Sequence, residues 1–330
     1  MNRQLFEHHP AFGYRFIPGL KARMEHEAGG YLIRANQTGF RCDHEFDAAR
    51  QPGRKRVLLF GDSFTAGDGV SNKKRYGDQL EEIVGDLEVW NFGLSGSGTD
   101  QQYLIYREFA ADMDCDLVVL GVLVENIRRV AARFRLYLTP GGEEQFLGKP
   151  YYSLEQGKLV LHQVPVPKEP LRKDELPDDR VNPGGRMPWL REAVNKLGPT
   201  AKEFIQRVSG YDPVPDYTTP DNPHWILMSA ILERWIAEIK HPVILFPIPL
   251  YQHVEESSSP DAYRARFSEL ANSTDAMLHD PLDDILSYSA KERRAFRFQN
   301  DIHPTPAGHR ALAESLAPAI RKALSTSDAS

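Results

Sequence analysis

Cysteine is scarce in this chain: Cys42 and Cys115 are the two among 330 residues, and they lie far apart. A disulfide framework and a cysteine-type zinc site therefore have nothing to build on. The histidines show no zinc spacing either, so neither a metal nor an organic cofactor is expected. Long apolar runs are missing as well. No stretch approaches the roughly 20 residues needed to span a bilayer. Met1 to Gly13 is polar, with Arg3, Glu7, His8 and His9 where a signal peptide would carry its apolar core. The expectation is a cytoplasmic protein, in which the triplets Asn36-Gln37-Thr38 and Asn272-Ser273-Thr274 are chance glycosylation matches. Positive charge is not in excess: Lys+Arg is 40 against Asp+Glu 46, a net charge of -6. That balance argues against a nucleic-acid coat, which needs a basic surface to displace counterions.

What is present is an ordinary globular composition, 41% hydrophobic and 26% charged. About three quarters of the unfolded surface is buried at such a length, so a core needs no staple. Residues 1–53 form a polar lead-in, with strand character over Gly30–Asn36. Arg54–Phe60 is then a short apolar run without alternation, as in a strand buried on both faces of a parallel sheet. Leu87–Asn91, Asp116–Val124 and Pro242–Ile248 repeat that pattern, and Ala276–Asp280 is a shorter fifth candidate. Helical spacing fills 73–85, 99–112, 225–239, 262–272 and the stretch from about Thr305, in which Pro318 is a potential kink. Alternating strands and helices imply an α/β fold: a parallel sheet of about five strands, covered by helices.

The alternation stops over residues 137–222, which are rich in Pro, Gly and charge. This stretch reads as an insertion, a possible lid or substrate wall. Within it, 149–161 looks like a hairpin turned near Gln156-Gly157. Glu169–Gly185 reads as a loop, and Ala193–Val208 has helical spacing broken at Gly198-Pro199.

Ligands of open parallel sheets bind beyond the carboxyl ends of the strands. Three segments leave such ends: Gly61–Gly69, Phe92–Gly98 and Glu125–Arg129. A fourth, Asn300–Pro304, precedes the last helix. Ser63 follows its strand at once in a Gly-Asp-Ser turn. A serine needs an adjacent base, for which His303 is the natural candidate, with Asp301 to orient its other nitrogen. Without them, Ser63 is equally well a helix N-cap. Gly93, Gly96 and Gly98 leave backbone N–H groups open to developing negative charge, although a tight turn explains them too. The spacing is neither a Rossmann fingerprint nor a P-loop. Asn126 can donate a side-chain N–H to the same oxyanion. Arg128 and Arg129 can meet a substrate carboxylate or phosphate, or simply pair with Glu125. Asp62, Tyr251 and His253 are further candidates for the pocket wall.

Taken together, these segments resemble the SGNH hydrolases, the GDSL-type esterases and lipases. The first block is Gly61-Asp62-Ser63-Phe64-Thr65 and the second Asn91-Phe92-Gly93-Leu94-Ser95-Gly96. Asn126 fits the third, and Asp301-Ile302-His303-Pro304 the last. The resemblance covers residues 54–130 and 223–325 but not the insertion. It implies a three-layer α/β/α, flavodoxin-like fold formed by 54–136 and 223–330, with 1–53 packed on it. It implies Ser63 as nucleophile, His303 as base, and an oxyanion hole from the Ser63 and Gly96 N–H groups with the Asn126 amide. Two departures stand out. The family's acid commonly lies three residues before the histidine, where this chain has Asn300, so the role falls to Asp301. The usual Gly-x-Asn-Asp becomes Gly121-Val122-Leu123-Val124-Glu125-Asn126.

The expected function is hydrolysis of a small, acetyl-like ester of a sugar, polyol or related metabolite through an acyl-serine. The partner is then a small-molecule ester, with no nucleic acid and no membrane span. Two alternatives are transfer of the same acyl group to another alcohol, and a non-catalytic glycan or metabolite binder on the same scaffold. No feature of the sequence sets an oligomeric state.

Overall fold

The computed structural model describes residues 4–47, 49–138, 144–176 and 212–327. Its centre is a five-stranded sheet of β1 (Lys55–Gly61), β2 (Leu87–Asn91), β3 (Leu117–Leu123), β4 (Val243–Ile248) and β5 (Met277–Leu278). Every pairing is parallel, and the spatial order is β5-β4-β3-β1-β2. This is the flavodoxin-like doubly wound order, whose direction of winding reverses between β1 and β3. The continuous apolar runs have their cause in this burial: every residue of β2, β3 and β4 is buried.

Helices cover both faces. Successive side chains of a strand point to opposite sides. Leu59 faces Gly77 in α2 (Tyr76–Val84), while Phe60 packs against Tyr106 and against Trp235 of α5 (Pro223–Glu238). The final helix, α6 (Pro306–Ser327), lies on the α2 side, and α3 (Thr99–Ile105) on the α5 side. The three layers expected for the fold are therefore present. The helix expected over 99–112 is α-helical only to Ile105 and continues as a π-helical turn, Tyr106–Ala110. The segment after β3 opens a short helix α4 (Asn126–Ala131).

The lead-in folds as two hairpins, Phe6–His9 with Gly13–Phe16 and Lys21–Met24 with Tyr31–Arg34. Phe12, in the turn of the first hairpin, and Phe40, after the second, are fully buried. Phe40 meets Phe92, which stacks on Phe60 of β1. In the insertion, Tyr151–Glu155 pairs with Lys158–His162. Gln156 and Gly157 both have positive φ at its turn, as a two-residue hairpin requires. A second hairpin, Phe134–Leu138 with Glu144–Gly148, has no counterpart in the sequence reading. The helix expected over Ala193–Val208 lies outside the described residues. Among the described residues, no helix is long and apolar enough to cross a membrane.

Candidate active site

β1 ends at Gly61 beside Gly121 of β3. A side chain at Gly61 would collide with Thr65, and one at Gly121 with the Tyr76 hydroxyl, which lies 2.7 Å from that of Thr65. The two glycines thus let the next turn fold back onto the strand ends. That turn is α1 (Ser63–Ala66), which starts at the residue after Asp62. Asp62 caps it by accepting from the Phe64 N–H at 3.0 Å. Gly67, at φ +80°, closes it in the left-handed region.

Ser63 Oγ lies 2.8 Å from His303 Nε2, across 240 residues of chain. The other ring nitrogen, Nδ1, is 2.5 Å from Asp301 Oδ1, which also accepts from the His303 N–H at 3.1 Å. The departure from the family's spacing is therefore compatible with contact: an acid two residues before the histidine reaches its ring. Burial by itself pulls the His303 imidazole down. The hydrogen bond with Asp301, and the negative charges of Asp68, Asp301 and Asp62, outweigh it and set the ring above the ordinary 6.5. Asp301 moves the other way. Its hydrogen bond to His303 holds the carboxyl well below the usual carboxylate range, against the opposing effect of burial. An ionised Asp301 accepts from Nδ1–H, which leaves Nε2 free to accept the Ser63 proton.

The glycine loop sits directly against this turn. The Leu94 N–H donates to Gly61 O at 3.0 Å. Asn91 ties the two together: its Oδ1 accepts from the Gly93 N–H at 2.8 Å and its Nδ2 donates to Thr65 O at 2.9 Å. Gly96 has φ +76°. Asn126, first residue of α4, is fully buried, and both its amide atoms lack a protein hydrogen-bond partner among the described residues. A buried amide is costly to leave unsatisfied, so such a group is suited to a ligand's oxygen.

The weaker candidates separate. Asp62 is fully buried, and its second oxygen accepts from Arg129 at 2.8 Å. Burial pushes its carboxyl up, and Arg129 opposes that. Arg129 also donates to Ser97 O at 3.2 Å and lies 3.7 Å from Glu125. Arg128 turns to Pro213 O, at 2.5 Å, and to Asp216, at 3.5 Å. These charges thus engage protein groups. Tyr251 lines an apolar cleft with Phe64, Ile302 and Pro304, the neighbours of Ser63 and His303, and carries Arg297 over its ring at 4.5 Å. His253 is not in that lining; it is buried, and burial pulls it down to about 4. Among the described residues, no three His, Cys, Asp or Glu side chains cluster as metal ligands.

Three contacts had no signal in the sequence. His26 Nε2 is 3.3 Å from Asp301 Oδ2. Next to it, Glu27 accepts from the backbone N–H of Asn300 at 3.1 Å and from its side chain at 2.6 Å. Asp68 accepts from Ser95 Oγ at 2.6 Å. Each joins segments whose proximity follows only from the fold.

No family model matches the chain, and no curated protein does. Solved structures do resemble it. A lipolytic protein of the G-D-S-L family from Veillonella parvula is 12% identical, with a TM-score of 0.43 over 81% of this chain and 98% of that one. The acetyl xylan esterase AlAXEase is 14% identical, with a TM-score of 0.43 over 80% and 99%. The esterase EstA from Pseudoalteromonas sp. is 11% identical, with a TM-score of 0.43 over 82% and 99%.

Proposed function

We propose that the chain is a serine hydrolase that cleaves a small acyl ester of a sugar, polyol or related metabolite. One observation carries this reading: the unbroken relay from Ser63 Oγ through the His303 ring to Asp301. A serine hydroxyl becomes a competent nucleophile when an oriented base stands at hydrogen-bond distance.

In this mechanism Ser63 Oγ attacks the ester carbonyl as its proton passes to His303 Nε2. Asp301 stabilises the imidazolium without taking a proton. The carbonyl oxygen becomes an oxyanion that accepts from the Ser63 and Gly96 N–H groups and from the Asn126 amide. One such donor is worth roughly 3–4 kcal/mol in a transition state. His303 then protonates the departing alcohol. Water, deprotonated by the same nitrogen, attacks the acyl-serine and releases the acid. The apolar cleft beside Phe64 and Ile302 suits a short acyl chain. No step requires a cofactor.

Ser63→Ala removes the nucleophile. Hydrolysis of 4-nitrophenyl acetate is expected to fall at least ~10³-fold, and a fluorophosphonate is expected to label the wild type at Ser63. Undiminished turnover by the variant would refute the assignment. Folded wild type that neither hydrolyses esters nor takes the label would refute the hydrolase itself.

A further inference from the structure

The carboxylates around Ser63 have basic neighbours. Asp62 is paired with Arg129, and Asp301 lies between His303 and His26. Asp68 is 3.9 Å from Arg41. One cation at this rim differs. Arg135, in the strand Phe134–Leu138 that leads into the insertion, makes no side-chain hydrogen bond or ion pair with any described residue. Its guanidinium lies on the glycine loop: a Cβ built at Gly96 would come within 2.7 Å of Nη2 and 3.0 Å of Cζ. Its flat face is held by the ring of Tyr14, 4.1 Å from Cζ to the centroid. Tyr14 is itself fixed, since its hydroxyl donates to Ser95 O at 2.8 Å, one residue before Gly96. Stacking engages the face of a guanidinium but not its N–H donors, which lie in the plane and match the two oxygens of a carboxylate or phosphate.

We propose that Arg135 is a specificity-determining residue that binds an anionic group, a carboxylate or a phosphate, carried by the substrate near its scissile ester. The proposal rests on the esterase reading for the place of that ester. Gly96 has no side chain to obstruct the approach, and Tyr14 holds the guanidinium in one orientation before substrate arrives, which limits the entropy lost on binding. The strand that leads into the insertion thus contributes chemistry to the site. Arg128 and Arg129, the arginines that the sequence suggested for this role, are engaged with protein groups.

The test compares acetyl esters of methyl glucoside, of glucuronic acid and of glucose 6-phosphate. The wild type is expected to show a kcat/KM at least tenfold higher for an anionic ester than for the neutral one; the better of the two acids identifies the group. In Arg135→Gln that ratio is expected to fall toward one, and Arg135→Lys, which keeps the charge but loses the fork, is expected to lie between. A wild type without anionic preference would overturn the proposal. So would an equal loss by Arg135→Gln on all three esters, which would make Arg135 an oxyanion contact instead. Calorimetric titration with glucuronate and with glucose 6-phosphate is independent of turnover. At least tenfold weaker binding of the preferred acid by Arg135→Gln supports the site, and unchanged binding overturns it. If no ester is cleaved by folded wild type, the esterase reading fails while the titration still decides Arg135.

Discussion

His303 stands between opposing influences, and their balance is measurable. In the proposed mechanism its ring must be neutral to accept the Ser63 proton. Because the ring is set above 6.5 by Asp301 and the nearby charges, kcat/KM is expected to rise with pH through a limb centred above that value. In Asp301→Asn burial dominates, so the limb should move to lower pH while turnover falls by ~10²–10⁴-fold. A pH–rate profile that keeps its limb in the variant would separate Asp301 from the base. The same pair affects stability with two signs. The raised His303 contributes fully below its ordinary 6.5, and that contribution is lost as pH rises through the folded value. The depressed Asp301 contributes fully above 3.8 and is lost as pH falls through its folded value. Their joint contribution is therefore greatest between those two ordinary values.

Among the elements, α4 connects the core to the insertion. Its first residue is Asn126 and its last turn carries Arg129, which holds Asp62 beside Ser63. Lys149, just after the hairpin of Phe134–Leu138 with Glu144–Gly148, fixes the other end of the helix. Its ammonium donates to Arg129 O at 3.0 Å, which also accepts from the Ala132 N–H, and to Ala132 O at 2.9 Å, just past the last turn. It also pairs with Asp100 in the first turn of α3, and both side chains are buried. Lys149→Met leaves the Asp100 charge without its partner, and the expected loss is about 3–5 kcal/mol in urea unfolding. Adding Asp100→Asn should recover part of that loss, as coupled groups do. A double variant no more stable than Lys149→Met would show that the pair is not what holds the helix.

Across the molecule, the lead-in belongs to the site as well as to the core. Phe12 and Phe40 are buried within the aromatic cluster, and the chain between them brings His26 and Glu27 against Asp301 and Asn300. His26 restrains the outer oxygen of Asp301, while Glu27 restrains Asn300. His26→Ala is expected to lower kcat about fivefold, equivalent to roughly 1 kcal/mol, with KM little changed and the pH limb displaced. His26→Gln, which keeps a donor, should recover much of the rate. An unaltered kcat and limb in the alanine variant would reduce His26 to a packing contact.

The legible parts of this protein are those with a local cause. A strand buried on both faces must be apolar at every position, so Leu117–Leu123 and Val243–Ile248 can be read directly from the chain. Ser63 can be located because the turn after a buried strand needs Gly61 and a capping Asp62. Less legible was the hairpin of Phe134–Leu138 with Glu144–Gly148, which runs into the stretch rich in prolines, glycines and charges. The α-helix after Thr99 also ends earlier than its spacing suggests, because a π-helical turn takes over at Tyr106.

Local chemistry along the chain was enough to specify a parallel sheet covered by helices, the strand ends at which a serine and a glycine loop stand, and a histidine before the last helix. Which charge faces which was settled only by the folded molecule. His26 and Asp301 are 275 residues apart in sequence, and Arg129 and Asp62 are 67 apart. Hydrophobic periodicity reports which side of an element is buried. The partner of a buried charge depends instead on a few ångströms of three-dimensional distance, because hydrogen bonds and ion pairs weaken steeply beyond contact.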